Sequence, residues 1–421
     1  MSELRKASLH ITGIVQGVGF RPFVYGLAIR YKLNGWVRNT SAGVDIEVVG
    51  AQKTLDEFIK ALKTELPPLA RIDSFDAVYG APGLFTGFKI IHSEEVAGAF
   101  QPISPDVSIC PDCLHELFDP LNRRYHYPFI NCTNCGPRFS IITDIPYDRP
   151  NTTMAQFEMC PDCAAEYQNP LDRRFHAQPV ACPVCGPKVW LEINGQEGKG
   201  GEKVEGDEAI QAAQQILAEG KILAIKGLGG FHLACDATNP AAGDELRRRK
   251  LRVDKPFALM MADITTIEQH CFVNPEEREL LESRQRPIVL LERKPNSAIV
   301  EGIAPGQHKL GVMLPYTPLH YLLFTGNSLT FSVLVMTSGN LSEEPIATEN
   351  NEARERLSDL ADAFLMHNRD IQTRCDDSVV QEFEKKIYYL RRSRGYAPNS
   401  LQLPFDVPPI LATGPELKNT F

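Results

Sequence analysis

Eight of the eleven cysteines in this chain fall into one pattern written twice. C-P-D-C at 110–113 is followed, eighteen residues on, by C-T-N-C at 132–135; C-P-D-C at 160–163 is followed, again eighteen residues on, by C-P-V-C at 182–185. Other positions repeat with the same offset of fifty: Pro120 and Pro170, Arg123-Arg124 and Arg173-Arg174, His126 and His176, Gly136-Pro137 and Gly186-Pro187. This is an internal duplication, and it constrains the fold more than any other feature. Cys110, Cys113, Cys132 and Cys135, with Cys160, Cys163, Cys182 and Cys185, supply thiolates for two tetrahedral zinc sites with no open position, a structural rather than a catalytic set. Pairing within each repeat is the simpler reading; a nested pairing of outer with outer and inner with inner stays open. Segment 106–188 is poor in apolar residues, so the metal has to supply much of its folding energy, ~10–16 kcal/mol per site in small fingers. Four C-x-x-C pairs in two matched sets argue against redox motifs. His126 and His176 face sites already filled by sulfur, so second-layer or surface roles are expected. Cys235, Cys271 and Cys375 have no spacing pattern and read as core or local residues.

A chain of 421 residues is too long for one core and implies three or four domains. The formal net charge of −9 argues against nucleic acid as a partner, because such a surface is normally basic. No run of eighteen apolar residues and no apolar signal core at the N-terminus occur, so no membrane partner and a cytoplasmic location are expected. Cysteines in that compartment more often mean metal binding or catalysis than disulfides.

Residues 1–92 alternate as strand, helix, two strands, helix and strand. ASLHITGIV, the hairpin GWVRNTS–GVDIEVVG around 41–43, RIDSFDAVYG and TGFKIIHS supply the strands, with helices over RPFVYGLAIRYKL and QKTLDEFIKALKTEL. In the second helix Leu55, Phe58, Ile59 and Leu62 share a face. The order is that of a split βαβ, or ferredoxin-like, unit. Its first strand-to-helix loop reads VQGVGFRPF. Gly17 and Gly19 permit positive φ, and Pro22 suits a first helical turn. The N–H groups of Gln16, Gly17, Val18, Gly19, Phe20 and Arg21 can then converge on one anion at the helix N-terminus, with the Arg21 guanidinium as a fork for phosphate oxygens.

Residues 205–395 read as an α/β unit: a helix over DEAIQAAQQILAEG, a strand at KILAIKG, and strands at PFALMMA, PIVLLER and LTFSVLVMTSGN. GLGGF at 227–231, the cations of LRRRKLRVDKP, TSGN at 337–340 and RRSRGYAP at 391–398 together suit a nucleoside triphosphate, with cations for phosphates and small residues where phosphate approaches backbone. The stretch 367–380 reads as a further ligand-facing strand.

VQGVGFR and GWVRN resemble the acylphosphatases. The resemblance implies that Arg21 clamps a phosphoryl group and Asn39 positions the attacking water. The cysteine array resembles four-cysteine zinc fingers, and its nested alternative the zinc region of DnaJ chaperones. K-x-R and S-x-N resemble the YrdC-like fold, which implies that Lys250 and Arg252 hold ATP phosphates and that Ser338 and Asn340 bond nucleotide or carbamoylated substrate; Lys255 of the same cation cluster is a candidate beside them. Arg374 and Asp376 are further candidates. The three units in this order resemble the hydrogenase-maturation carbamoyltransferases of the HypF family, whose members continue into a larger ATPase-like domain; 396–421 reads as a linker and the start of that domain, so the chain is expected to be an N-terminal portion. The implied fold is α+β and multidomain: an acylphosphatase-like unit (1–92), tandem fingers (106–188) and a YrdC-like unit (205–395). The implied chemistry is hydrolysis of carbamoyl phosphate, then ATP-dependent conversion of carbamate to carbamoyl-adenylate with Mg2+, for transfer to a C-terminal cysteine of the partner protein HypE. The alternatives are a zinc-dependent protein-binding module and a threonylcarbamoyl-adenylate synthase of tRNA modification.

Overall fold

The computed structural model describes residues 4–94, 102–193, 203–326, 331–341, 344–401, 403–408 and 410–411. The expected start of a further domain at 412–421 lies outside the described residues. Two compact units are distinguished. One comprises 1–106, 110–113 and 130–186, the other 107–109, 114–129 and 187–421. No helix among the described residues is long and apolar enough to cross a membrane.

The first unit contains β1 (Leu4–Ile14), α1 (Phe20–Arg30), β2 (Asn34–Thr40), β3 (Gly43–Ala51), α2 (Gln52–Thr64), β4 (Arg71–Gly80) and β5 (Phe88–Ile90). The strands form one sheet in the order β4-β1-β3-β2-β5, antiparallel except for β2 with β5. Both helices pack on this sheet for the reason their spacing gives. α2 buries Leu55, Phe58, Ala61 and Leu62, with Ile59 half-buried beside them, and α1 buries Phe20, Val24, Leu27 and Ala28. At the start of β3, Gly43 has a φ of +151°, and a Cβ there would stand 2.3 Å from the Ile11 carbonyl oxygen of the neighbouring β1. The segment beyond β5 is largely irregular: short helices α3 (Pro111–Phe118) and α4 (Pro161–Gln168) each follow the first cysteine of a C-x-x-C pair.

In the second unit eleven strands form one mixed sheet, ordered β16-β15-β11-β12-β10-β13-β9-β8-β14-β6-β7. They are β6 (Val189–Ile193), β7 (Val204–Glu205), β8 (Leu223–Lys226), β9 (Phe231–Asp236), β10 (Ala258–Met261), β11 (Ile288–Glu292), β12 (Lys309–Met313), β13 (Val333–Ser338), β14 (Ala363–His367), β15 (Val379–Phe383) and β16 (Lys386–Arg391). Helices α5 (Gly206–Ala218) and α6 (Pro240–Arg249) lie between these strands in sequence. The central strands are buried along most of their length, which explains their continuous apolar runs. Cys235, Cys271 and Cys375 are buried here, as expected. One expectation fails: 368–378 is not a strand, because β14 ends at His367 and β15 begins at Val379. The polar run NRDIQTRCDD has no alternating apolar face to lay on a sheet, and isolated bonds hold it instead, Cys375 N–H to Gly229 O at 3.0 Å among them.

Candidate functional site

The loop between β1 and α1 carries the first site. Gly17 and Gly19 take φ of +71° and +74°, and Gly19 is the N-cap of α1 with no side-chain cap. Among the described residues, the main-chain N–H groups of Gln16, Gly17, Val18, Gly19, Phe20 and Arg21 donate to no protein acceptor, whereas those of Val15 and Phe23 do. Six successive unpaired amides at a helix N-terminus make an anion-binding nest. Gln16, Gly17, Gly19, Phe20, Arg21 and Asn39 all line one pocket. Val18 is fully buried in the core and does not line the pocket. The Gln16 side chain works as a clamp: Nε2 donates to Thr40 O (2.7 Å) and Gly43 O (2.9 Å), and Oε1 accepts from Tyr147 N–H at 3.0 Å.

Arg21 and Asn39 meet. With the Asn39 amide oxygen turned toward Arg21, it accepts from Nε and Nη2 at 3.2 Å each. The Arg21 fork is not left open, however. Nη2 pairs with Asp148 Oδ1 at 2.7 Å and reaches Tyr147 O at 3.3 Å, while Nη1 reaches Ser93 Oγ at 3.4 Å. Asp148 also takes a very short hydrogen bond from the Ser93 hydroxyl. An anion in the nest therefore shares Arg21 with a carboxylate, a feature that the loop motif alone does not reveal.

The cysteine-bearing segment completes the pocket with Thr133, Arg138, Tyr147, His176 and Gln178. Sequence reasoning missed these as site residues, and it placed His176 as second-layer or surface; His176 lines the anion pocket instead. Burial, then the nearby Arg21 charge, pushes its imidazole down to about 4 against the opposing pull of Asp148, so it is neutral near pH 7. The fifty-residue repeat marks His176 as a special position, but only the fold brings it to Arg21.

The two cysteine clusters assemble within each repeat: Cys110, Cys113, Cys132 and Cys135 in one, Cys160, Cys163, Cys182 and Cys185 in the other, with the sulfurs of each cluster within 4.8 Å of one another. Thiolates bound tetrahedrally at about 2.3 Å from zinc stand roughly 3.8 Å apart. The separations here fit: Cys110–Cys132 3.7 Å and Cys132–Cys135 3.9 Å in the first, Cys160–Cys182 3.7 Å and Cys163–Cys185 3.6 Å in the second. The soft, closed four-sulfur donor sets suggest zinc, and the nested pairing is not adopted. The Arg173 guanidinium donates to Cys113 Sγ at 3.2 Å, which offsets thiolate charge.

In the second unit Lys250, Ser338 and Asn340 come together. Lys250 Nζ donates to Ser338 O at 2.6 Å, to Asn340 Oδ1 at 3.0 Å and to Asn340 O; Ser338 Oγ donates to Asn340 Oδ1 at 2.7 Å. Arg252 lies beside them, its Nη1 on Thr337 Oγ1 at 2.9 Å, its pKa lowered by burial to about 10. Lys255 is exposed, and its carbonyl accepts from Arg252 Nε at 2.9 Å. Arg374 is exposed and reaches Glu352 at 3.9 Å, so it does not join the Lys250 group. Asp376 offers its carbonyl to Arg394 N–H. The buried acid is its neighbour Asp377, which accepts from Arg394 Nε at 2.6 Å and lies 2.9 Å from His232 Nε2. Burial pushes this carboxyl up, but Arg394 and His232 more than reverse that and hold it well below the usual range. GLGGF packs closely: a Cβ on Gly229 would stand 2.3 Å from Cys375 O.

Comparisons with known proteins follow the same division. An acylphosphatase family matches residues 7–90, a family described as HypF finger matches 109–142 and 159–192, and the Sua5/YciO/YrdC family, described as telomere recombination, matches 215–393. The chain is 50% identical over 429 aligned residues to carbamoyltransferase HypF2 of Cupriavidus necator, covering 98% of this chain and 52% of that protein. It is 49% identical over 420 to carbamoyltransferase HypF of Synechocystis sp., covering 99% and 54%. A crystal structure of full-length HypF in a phosphate- and nucleotide-bound form superposes with a TM-score of 0.89 at 50% identity, over 94% of this chain and 51% of that one. The chain spans about half the length of the curated relatives it matches. With an acylphosphatase-type nest, paired four-cysteine clusters and a YrdC-like sheet in one order, it belongs to the HypF carbamoyltransferase family.

Proposed function

We propose that the nest binds carbamoyl phosphate and hydrolyses it. The observation that carries this reading is the run of six unpaired amides at the start of α1, in a loop whose Gln16, Gly17, Gly19, Phe20 and Arg21 line one pocket with Asn39. The amides and Arg21 hold the phosphoryl oxygens, and Asn39 orients a water for attack on phosphorus. The bond from phosphorus to the carbamoyl oxygen breaks, leaving carbamate and inorganic phosphate. Preorganised donors of this kind contribute several kcal/mol because they stand in place before charge develops. A solved relative holds phosphate and nucleotide, which supports an anion here and ATP in the YrdC-like unit.

In that unit carbamate attacks the α-phosphorus of ATP, forming carbamoyl-adenylate and releasing pyrophosphate. Lys250, Arg252 and Lys255 provide positive charge for the phosphates, Ser338 and Asn340 hydrogen bonds for substrate, with Arg374 and Asp376 at the margin. Mg2+ accompanies ATP and neutralises its phosphates. The activated carbamoyl group is destined for the C-terminal cysteine of HypE in the maturation of nickel-iron hydrogenase, a transfer that belongs to the whole carbamoyltransferase. Zinc holds the two finger clusters.

Carbamoyl-phosphate-dependent ATP–pyrophosphate exchange tests the scheme, with wild type and Arg21→Ala side by side. Exchange by the wild type alone supports it. Exchange that requires L-threonine and bicarbonate instead favours threonylcarbamoyl-adenylate synthesis, and absence of both exchange and carbamoyl-phosphate cleavage leaves a binding module.

A further inference from the structure

Arg138 is fully buried, and none of its five N–H donors goes to a carboxylate. Nη1 donates to Cys135 O (3.0 Å) and Pro137 O (2.7 Å), Nη2 to Cys132 O (3.3 Å) and Thr133 O (3.0 Å), and Nε to Gly17 O at 2.5 Å. Four of these carbonyls belong to the second C-x-x-C turn of the first cluster and the residues just after it. The fifth belongs to the nest. The contact is close on both sides of that loop: a Cβ at Gly17 would stand 3.3 Å from Arg138 Cδ, and one at Gly19 would stand 3.4 Å from Thr133 Cβ. Asp106 Oδ1 fixes the Arg138 main chain by accepting its N–H at 2.6 Å.

We propose that Arg138 is a positioning residue through which the first four-cysteine cluster holds the anion nest in its binding conformation. Metal bound to Cys132 and Cys135 fixes the turn between them. The fixed turn presents its carbonyls at one point, and a guanidinium gathered there grips Gly17 O. That grip keeps Gly17 in its left-handed conformation, which aims the neighbouring N–H groups into the pocket. Arg138 also lines the pocket, so its buried positive charge favours an anion there. The proposal rests on the reading of the nest as a phosphate site and adds that finger metallation sets its affinity.

The test is inorganic phosphate binding by calorimetry on the full chain, with metal content and ATP binding measured alongside. The variant is Arg138→Lys. Lysine stands at the matching position of the second repeat, Lys188 after Gly186-Pro187, where it is exposed, so the repeat backbone takes that residue type. A lysine keeps the charge but cannot span five carbonyls. Arg138→Lys, with two metals bound and ATP affinity unchanged, is expected to bind phosphate at least ten-fold more weakly than wild type. Stripping the metal is expected to weaken wild-type binding by a similar factor and to weaken the variant by less than three-fold further, since both changes break one linkage. A merely stabilising Arg138 would lower the melting temperature and leave phosphate affinity below it unmoved. Phosphate affinity of Arg138→Lys within two-fold of wild type overturns the proposal, as do fully additive losses. If Arg138→Lys is not recovered with two metals, the wild-type arm decides: metal-stripped protein that keeps its phosphate affinity overturns the linkage. Wild type that binds no phosphate overturns the nest reading itself.

Discussion

Arg21 and Asp148 lie 127 positions apart in sequence, and their side chains form an ion pair of 2.7 Å inside the first unit. Arg21 is 8% exposed, and the carboxylate reaches it from the cysteine-bearing segment. A negative charge thus stands beside the guanidinium that the proposed function gives to the anion. The pair orients Arg21 and, on that proposal, sets the carboxylate in competition with the ligand.

Asp148→Asn keeps a hydrogen-bonding oxygen but removes that charge. Phosphate affinity is expected to rise three- to ten-fold, or ~1 kcal/mol, the scale of one charge close to a partly screened site. An unchanged or weaker phosphate dissociation constant in calorimetry would show that Asp148 does not compete.

Arg21→Ala is expected to abolish carbamoyl-phosphate cleavage with ATP binding intact, and Asn39→Ala to slow it by about 10²–10³, the loss of one preorganised donor. Phosphate release assays read both. Retained cleavage in Arg21→Ala removes the first site.

The within-repeat clusters make a prediction about metal content. The double variant Cys110→Ser/Cys132→Ser breaks one cluster and should retain one metal per chain, whereas Cys110→Ser/Cys160→Ser breaks both and should retain none. Nested pairing would cost the first variant both metals, so elemental analysis separates the two arrangements.

Lys250→Ala removes the ammonium that ties Ser338 to Asn340, and Arg252→Ala the guanidinium on Thr337. Each is expected to weaken ATP binding at least ten-fold in a nucleotide titration. Unchanged affinity would move the nucleotide away from this group.

His176 contributes a pH dependence of stability. Its folded pKa of about 4 lies below the ordinary histidine value, so between about pH 6.5 and 4 the unfolded chain binds the extra proton. Stability is therefore full above pH 6.5 and falls as pH drops through that window, by up to ~1.4 kcal/mol per pH unit. His176→Gln should flatten this part of a urea-melt pH series. An unchanged slope would assign it to other groups.

Much of this protein is legible one segment at a time. The nest is built from Gly17, Gly19 and the start of α1, which are neighbours in sequence, and the ferredoxin-like order follows from local periodicity. The eight clustered cysteines declare themselves because a C-x-x-C turn is a local device repeated at a fixed offset. Lys250, Ser338 and Asn340 are named by resemblance to a family pattern, and their mutual bonds join segments far apart in the chain. Segment 368–378 was misread because its polar run carries no signal of the contact with Gly229 that shapes it.

The sequence by itself determined the elements of the nest, the donor type of the metal clusters and the family. Only the tertiary structure decided that the clusters close within each repeat, that Asp148 shares Arg21, and that Arg138 joins a cysteine turn to Gly17. Local geometry and donor chemistry are properties of a few adjacent residues, whereas the partner of a buried charge is fixed by packing between segments that no spacing rule connects.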